Sequence, residues 1–254
     1  MKKLSISALA VAAIPMISAA DGDHGSHAVN EPSAVKSDAA PNTIAAFDIR
    51  AAYVKREDRV VTFSMSTNGV AGSSRPEKTG SAGGSHIWAY VWPTSLDPSV
   101  VGFEQGTGIL ALAATNHPDF DDTPLFDENI DGDTGNDGGY WHSHWAVLTP
   151  NEDCGPGALS VRDIPEGTSP AMPATWSGVP IFLDSPGFTP VFDGGEITIN
   201  VTLSAAGSEA IDGNFYDGVT AAMRVNSDLH APFACVVDIW DVASGDLSLP
   251  GRVE

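Results

Sequence analysis

In Ile197-Thr198-Ile199-Asn200-Val201-Thr202-Leu203 every odd position is apolar and every even one is polar. A strand turns successive side chains to opposite faces, so this pattern buries one face and wets the other. The same period, or a short unbroken apolar run, recurs along the chain. Segments 47–53 and 61–65 flank a charged turn, Arg56-Glu57-Asp58-Arg59, and read as a hairpin. Further runs cover 86–92, 108–114, 140–148, 219–225 and 233–242, while repeated prolines break up 155–193. Beyond residue 20, no ten-residue window has helical periodicity. An all-β chain follows, expected as a single β-sandwich of Ig-like or Greek-key type with long acidic and Pro/Gly-rich loops. Asn200-Val201-Thr202 is a glycosylation sequon, but in so regular a strand it reads as half of a cross-strand polar pair.

The amino-terminal twenty residues follow a different logic. Lys2 and Lys3 precede a mostly apolar run to Ile17, then Ser18-Ala19-Ala20, the form of a secretory signal with its small-residue cleavage site. That run is too short to span a membrane. Residues 21–42 are small, polar and broken by prolines, as in a disordered leader. This leaves 43–254 as one domain of a periplasmic or secreted protein. The formal charge of −21 becomes −23 once Lys2 and Lys3 are removed with no acid. So acidic a surface repels nucleic acid and anionic lipid and suits cations. In an exported chain Cys154 and Cys235 are expected to pair. The bridge would close a loop of roughly 80 residues, worth about 4 kcal/mol in the chain-entropy model.

The chemistry gathers between Asn116 and Trp145. His142 and His144 lie two apart on an expected strand, so they share a face with Ala146 and Leu148, opposite Trp141, Ser143, Trp145 and Val147. Two imidazoles side by side are the simplest nitrogen pair a sheet can offer to zinc or copper. His86 and His117 each end another apolar run. His86 is the expected third ligand, and His230 the next candidate. The string His142-Ser143-His144-Trp145 resembles the zinc strand of α-type carbonic anhydrases, and the resemblance covers those four residues only. It implies a zinc-binding pair.

Between the histidines, Asp127-Glu128-Asn129-Ile130-Asp131-Gly132-Asp133 places oxygen-bearing side chains at alternate positions before a glycine, as calcium loops do. Asp127, Asn129, Asp131 and Asp133 are the expected calcium ligands, with Asp137 or Asp121 and Asp122 completing the shell. The twelfth position is Gly138 where an EF-hand needs a glutamate, so the loop is not an EF-hand. In 86–92, His86, Trp88, Tyr90 and Trp92 share one face. That face reads either as core or as the wall of a pocket for a small ligand.

These features point to an exported metal-binding protein, with copper or zinc on the His-x-His strand and calcium stiffening the acidic loop. One alternative is a zinc enzyme that activates water, drawing a general acid or base from Glu104, Asp119, Asp121 or Asp122. The other is a calcium-stabilised binding module without catalysis. Storage or delivery is favoured, because no motif for a hydrolytic nucleophile is present.

Overall fold

The computed structural model describes residues 27–228 and 232–254. The expected signal at 1–20 and His230 lie outside the described residues. The chain is nearly all β. Its strands in order are β1 Val35–Lys36, β2 Ile49–Glu57, β3 Val60–Thr67, β4 His86–Pro93, β5 Ile109–Asn116, β6 His142–Pro150 and β7 Leu159–Val161. They continue with β8 Leu183–Asp184, β9 Val191–Asp193, β10 Glu196–Thr202, β11 Phe215–Tyr216, β12 Val219–Val225, β13 Ala234–Val242 and β14 Gly251–Arg252. The α-helices among the described residues are short, α1 at His27–Asn30 and α2 at Ala205–Ala210.

One sheet runs β1-β2-β3-β10-β9. The β2–β3 hairpin closes through Asp58, whose φ of 58° lies in the left-handed region that aspartate enters more readily than most residues. Thr62 donates across the sheet to Asn200 at 2.8 Å, the cross-strand pair expected for the sequon asparagine. From residue 27 onward the expected disordered leader carries structure. Val35 and Lys36 pair with Ala52 and Ala51, and Ala28 packs against Ala51 and Tyr53.

The second sheet runs β5-β4-β12-β13-β7-β6, and β6 pairs back onto β5, with β8 added outside β6. Six strands therefore close on themselves. The expectation of a single sandwich is corrected on this point: one side of the fold is a sheet and the other is a barrel. Alternation supports both surfaces of the barrel wall. Trp88, Tyr90 and Trp92 point outward from β4 and join Phe47, Phe63, Met65, Ile197 and Ile199 in the main core. The Tyr90 ring stacks on Phe47 with centroids 5.1 Å apart, and Phe63 meets Trp92 edge-on. Their polar atoms are satisfied in place: Tyr90 donates to the Ala46 carbonyl at 2.8 Å, and the Trp92 indole donates to the Ser64 carbonyl at 3.1 Å. The aromatic face therefore packs into the core.

The opposite face of β4 (Ile87, Ala89, Val91 and Pro93) lines a cavity of about 400 Å³ inside the barrel. Six strands ordinarily enclose too little room for anything but their own side chains. Here many inward positions are alanine, among them Ala89, Ala111, Ala113, Ala146, Ala221 and Ala234, and the space stays open.

The disulfide expected between Cys154 and Cys235 is formed, with Cα atoms 5.5 Å apart. It ties the turn after β6 to β13, where Cys235 is paired with Ser160 of β7.

Candidate metal centre

At one end of the barrel cavity four buried side chains converge: His117, Asp122, His142 and His144. His117 directly follows β5, while His142 and His144 open β6 beside it, with Thr115 paired to His142 and Ala113 to His144. The two imidazoles of β6 share a face, as the alternation required, and His144 continues onto Ala146 and Leu148 along the cavity wall. Asp122 arrives from the loop. Its main-chain carbonyl accepts a 2.7 Å hydrogen bond from the Ser185 hydroxyl.

The spacing is that of a coordination shell. One ligand atom from each residue lies within 4.8 Å of the other three. Asp122 Oδ1 stands 3.2 Å from His117 Nε2, 3.3 Å from His142 Nε2 and 3.4 Å from His144 Nε2. A tetrahedral zinc with donors at roughly 2.0–2.1 Å holds those donors about 3.3–3.4 Å apart. Asp122 Oδ1 and His144 Nε2 are buried without any hydrogen-bond partner. Orphaned polar atoms of this kind are costly unless something else satisfies them.

The outer nitrogens fix which atoms face the centre. His117 Nδ1 lies 3.1 Å from the Phe120 carbonyl, and His142 Nδ1 lies 2.9 Å from the Tyr140 carbonyl. A carbonyl only accepts, so each Nδ1 carries the proton and each Nε2 keeps a lone pair. His144 Nδ1 is 3.1 Å from Ser185 Oγ, which spends its own proton on Asp122, so the same assignment holds there. Three imidazoles are thus presented as Nε2 donors by second partners, the arrangement metal-binding histidines use.

With no ion bound, the charges within the cluster act on one another. Burial pushes His142 down to about 4, against the pull of Asp122. Burial also opposes charge on His117, but the Asp122 carboxylate outweighs it and raises that imidazole. Burial alone would raise Asp122 itself, yet the facing imidazoles of His144 and His117 hold it well below the usual carboxylate range. The carboxylate stays ionised and ready to bind a cation.

The acidic loop builds the floor under this centre. Asp137 N–H donates to Asp121 at 2.6 Å, Glu128 N–H to Asp137 at 2.9 Å, and His117 N–H to the Gly138 carbonyl at 2.9 Å. A Cβ on Gly138 would sit 1.7 Å from the Phe120 oxygen and 2.7 Å from that of His117, so only glycine fits. Gly138 is the residue that excludes an EF-hand reading, and the close approach explains its presence.

The remaining expected ligands are placed elsewhere. His86, expected as third ligand, is exposed at the start of β4, and His117 takes that role. Asp127 accepts the amides of Asp131 and Gly132, Asn129 that of Asp131, Asp131 that of Asp133, and Asp133 that of Gly135. These four side chains fold the exposed loop on itself. Among the described residues, the convergent group of histidine and acidic ligands is the His117–Asp122–His142–His144 cluster. Asp122 was visible beforehand only as one of several loop acids. Nothing local separates it from Asp119, which accepts the Thr79 and Gly80 amides, or from Asp121, which accepts that of Thr123.

Comparison with protein-family models, curated proteins and solved structures finds no match. The functional reading accordingly rests on the residues and their geometry.

Proposed function

We propose that this is an exported metal-binding protein that holds one divalent transition-metal ion, zinc before copper, on His117, Asp122, His142 and His144. The observation that carries the reading is the set of three Asp122 Oδ1 to imidazole distances, 3.2 to 3.4 Å, around two otherwise unpartnered buried atoms. Three nitrogens around one oxygen that stands at tetrahedral spacing from each of them suit zinc, whereas copper(II) prefers a flatter array. Export is supported by the charged-then-apolar pattern of residues 1–20 and by the disulfide, which persists in oxidising compartments.

Binding is favoured over hydrolysis. Beyond the cluster itself, the cavity wall among the described residues has no titratable side chain to serve as a general acid or base. Titrating zinc into chelator-stripped protein should give one ion per chain and a higher melting temperature. Fewer than one ion per two chains would overturn the proposal. Calcium in the acidic loop is a separate reading, supported by Asp127, Asp131 and Asp133 alternating around Gly132, whose φ is 94°. If it holds, calcium raises the melting temperature of zinc-loaded protein and D127N/D131N does not respond. An unchanged wild-type melting curve ends it.

A further inference from the structure

We infer that the barrel cavity binds one unbranched aliphatic carboxylate, with its head group at the metal centre and its alkyl chain along the alanine-lined interior. This rests on the proposed metal site and deepens it.

The shape comes from the strands. Thr115, Ala113, Ala111 and Ile109 line the cavity in succession along β5, a path of about 20 Å at strand rise. His117, Asp122 and His144 lie at the Thr115 end. At the other end Ile109, Ile239 and Leu247 line the cavity while remaining 39%, 45% and 38% exposed, which marks the mouth. Leu247 and Leu249, both lining the cavity, hold φ of 58° and 52°. Branched side chains seldom occupy that region, and such strain persists where the surrounding structure requires it. The volume of about 400 Å³ falls in the range of small-molecule sites, roughly 300–1,000 Å³.

The ligand class comes from polarity and charge. Among the described lining residues only the three cluster members titrate, and the only hydroxyls are those of Thr94, Ser95 and Thr115. Everything between the two ends is apolar, hydrocarbon apart from the Met223 thioether. A divalent ion on three neutral imidazoles and one carboxylate leaves a net charge of plus one beside that apolar wall. An unbalanced buried charge is unfavourable, so a monoanion is the matching head group. Thr115 Oγ1 sits 3.1 Å from His142 Nε2. Once that nitrogen is taken by a metal, the hydroxyl is left to donate to the incoming carboxylate.

The test is calorimetric titration of the zinc-loaded full chain with octanoate, decanoate and dodecanoate. One equivalent should bind, tightening about fourfold per added methylene as each is buried, until the barrel is full. Thr115→Val should weaken binding severalfold. Ala111→Leu and Ala221→Leu, which fill the cavity away from the ligands, should weaken dodecanoate at least tenfold with one zinc retained. One zinc bound but no dodecanoate overturns this inference and leaves the metal reading standing. Failure to bind zinc overturns the metal reading and this one with it. Equal affinity for all three acids, or equal affinity with and without zinc, refutes the placement of tail or head. The chain-length series uses unaltered protein, so it decides even if the leucine variants misfold.

Discussion

The Nε2 atoms of His117 and His142 face each other at 2.8 Å inside the protein, and both rings have committed their Nδ1 protons to backbone carbonyls. Two lone pairs at that distance repel unless a proton or a cation lies between them. The fold holds them there nonetheless, because His117 is anchored through its own amide to Gly138 and His142 is paired in register with Thr115. A position where isolated side chains would separate is the mark of a site shaped around something positively charged.

Removing any one donor should therefore abolish tight binding. His117→Ala, His142→Ala and His144→Ala are each expected to weaken zinc by at least about 100-fold, since loss of a mere supporting partner already costs 10–100-fold. His86→Ala should leave affinity unchanged. Competition with a chromogenic chelator reads this directly, and a large loss in the His86 variant would mean the shell has been misassigned.

Ser185 holds both His144 Nδ1 and the Asp122 carbonyl. Ser185→Ala should lower zinc affinity roughly 10–100-fold while every ligand remains in place. The same competition assay, with melting temperature as a check on folding, separates this from general damage.

For the metal-free protein, acid should reduce stability through His142. Its folded value of about 4 lies below the ordinary imidazole value of about 6.5. A depressed value means the unfolded chain takes the proton first, so this contribution is present above about 6.5 and is lost as the pH falls toward 4. His117 is shifted upward and acts in the opposite sense, its contribution lost as the pH rises. Denaturant titrations at several pH values should show a shallower acid slope for His142→Gln than for the wild type. Parallel slopes would contradict the assignment.

Gly138→Ala should displace the loop that delivers Asp122, because the new methyl would overlap the Phe120 carbonyl oxygen. A fall in both melting temperature and zinc affinity is expected, whereas Gly132→Ala, at an open loop position with φ of 94°, should affect zinc little.

Reduction of Cys154–Cys235 should destabilise the fold by about 2–4 kcal/mol. Urea midpoints of oxidised and reduced protein measure it. Since the bridge joins the end of the histidine strand to β13, the reduced protein should also release zinc faster.

Period-two alternation was sufficient to call the chain all-β and to locate its principal strands. Val219–Val225 is the expected segment residue for residue, and Ile197 through Thr202 lie within β10. The same local rule placed His142 and His144 on one face, and composition with export logic paired the cysteines. Each of these depends on neighbours in sequence or on chemistry independent of distance. Which face of β4 meets the core was not decidable locally, since Trp-x-Tyr-x-Trp and Ile-x-Ala-x-Val are both apolar; closure of β6 onto β5 set the aromatics outward and the alanines around a cavity. The fourth ligand needed tertiary structure as well. Asp122, Asp119 and Asp121 are equivalent as loop acids, and only the path held by Gly138, Asp137 and Ser185 aims one of them at three imidazoles. Periodicity records which side of its own strand a residue occupies, while convergence on a point depends on where separate strands and a loop are brought together.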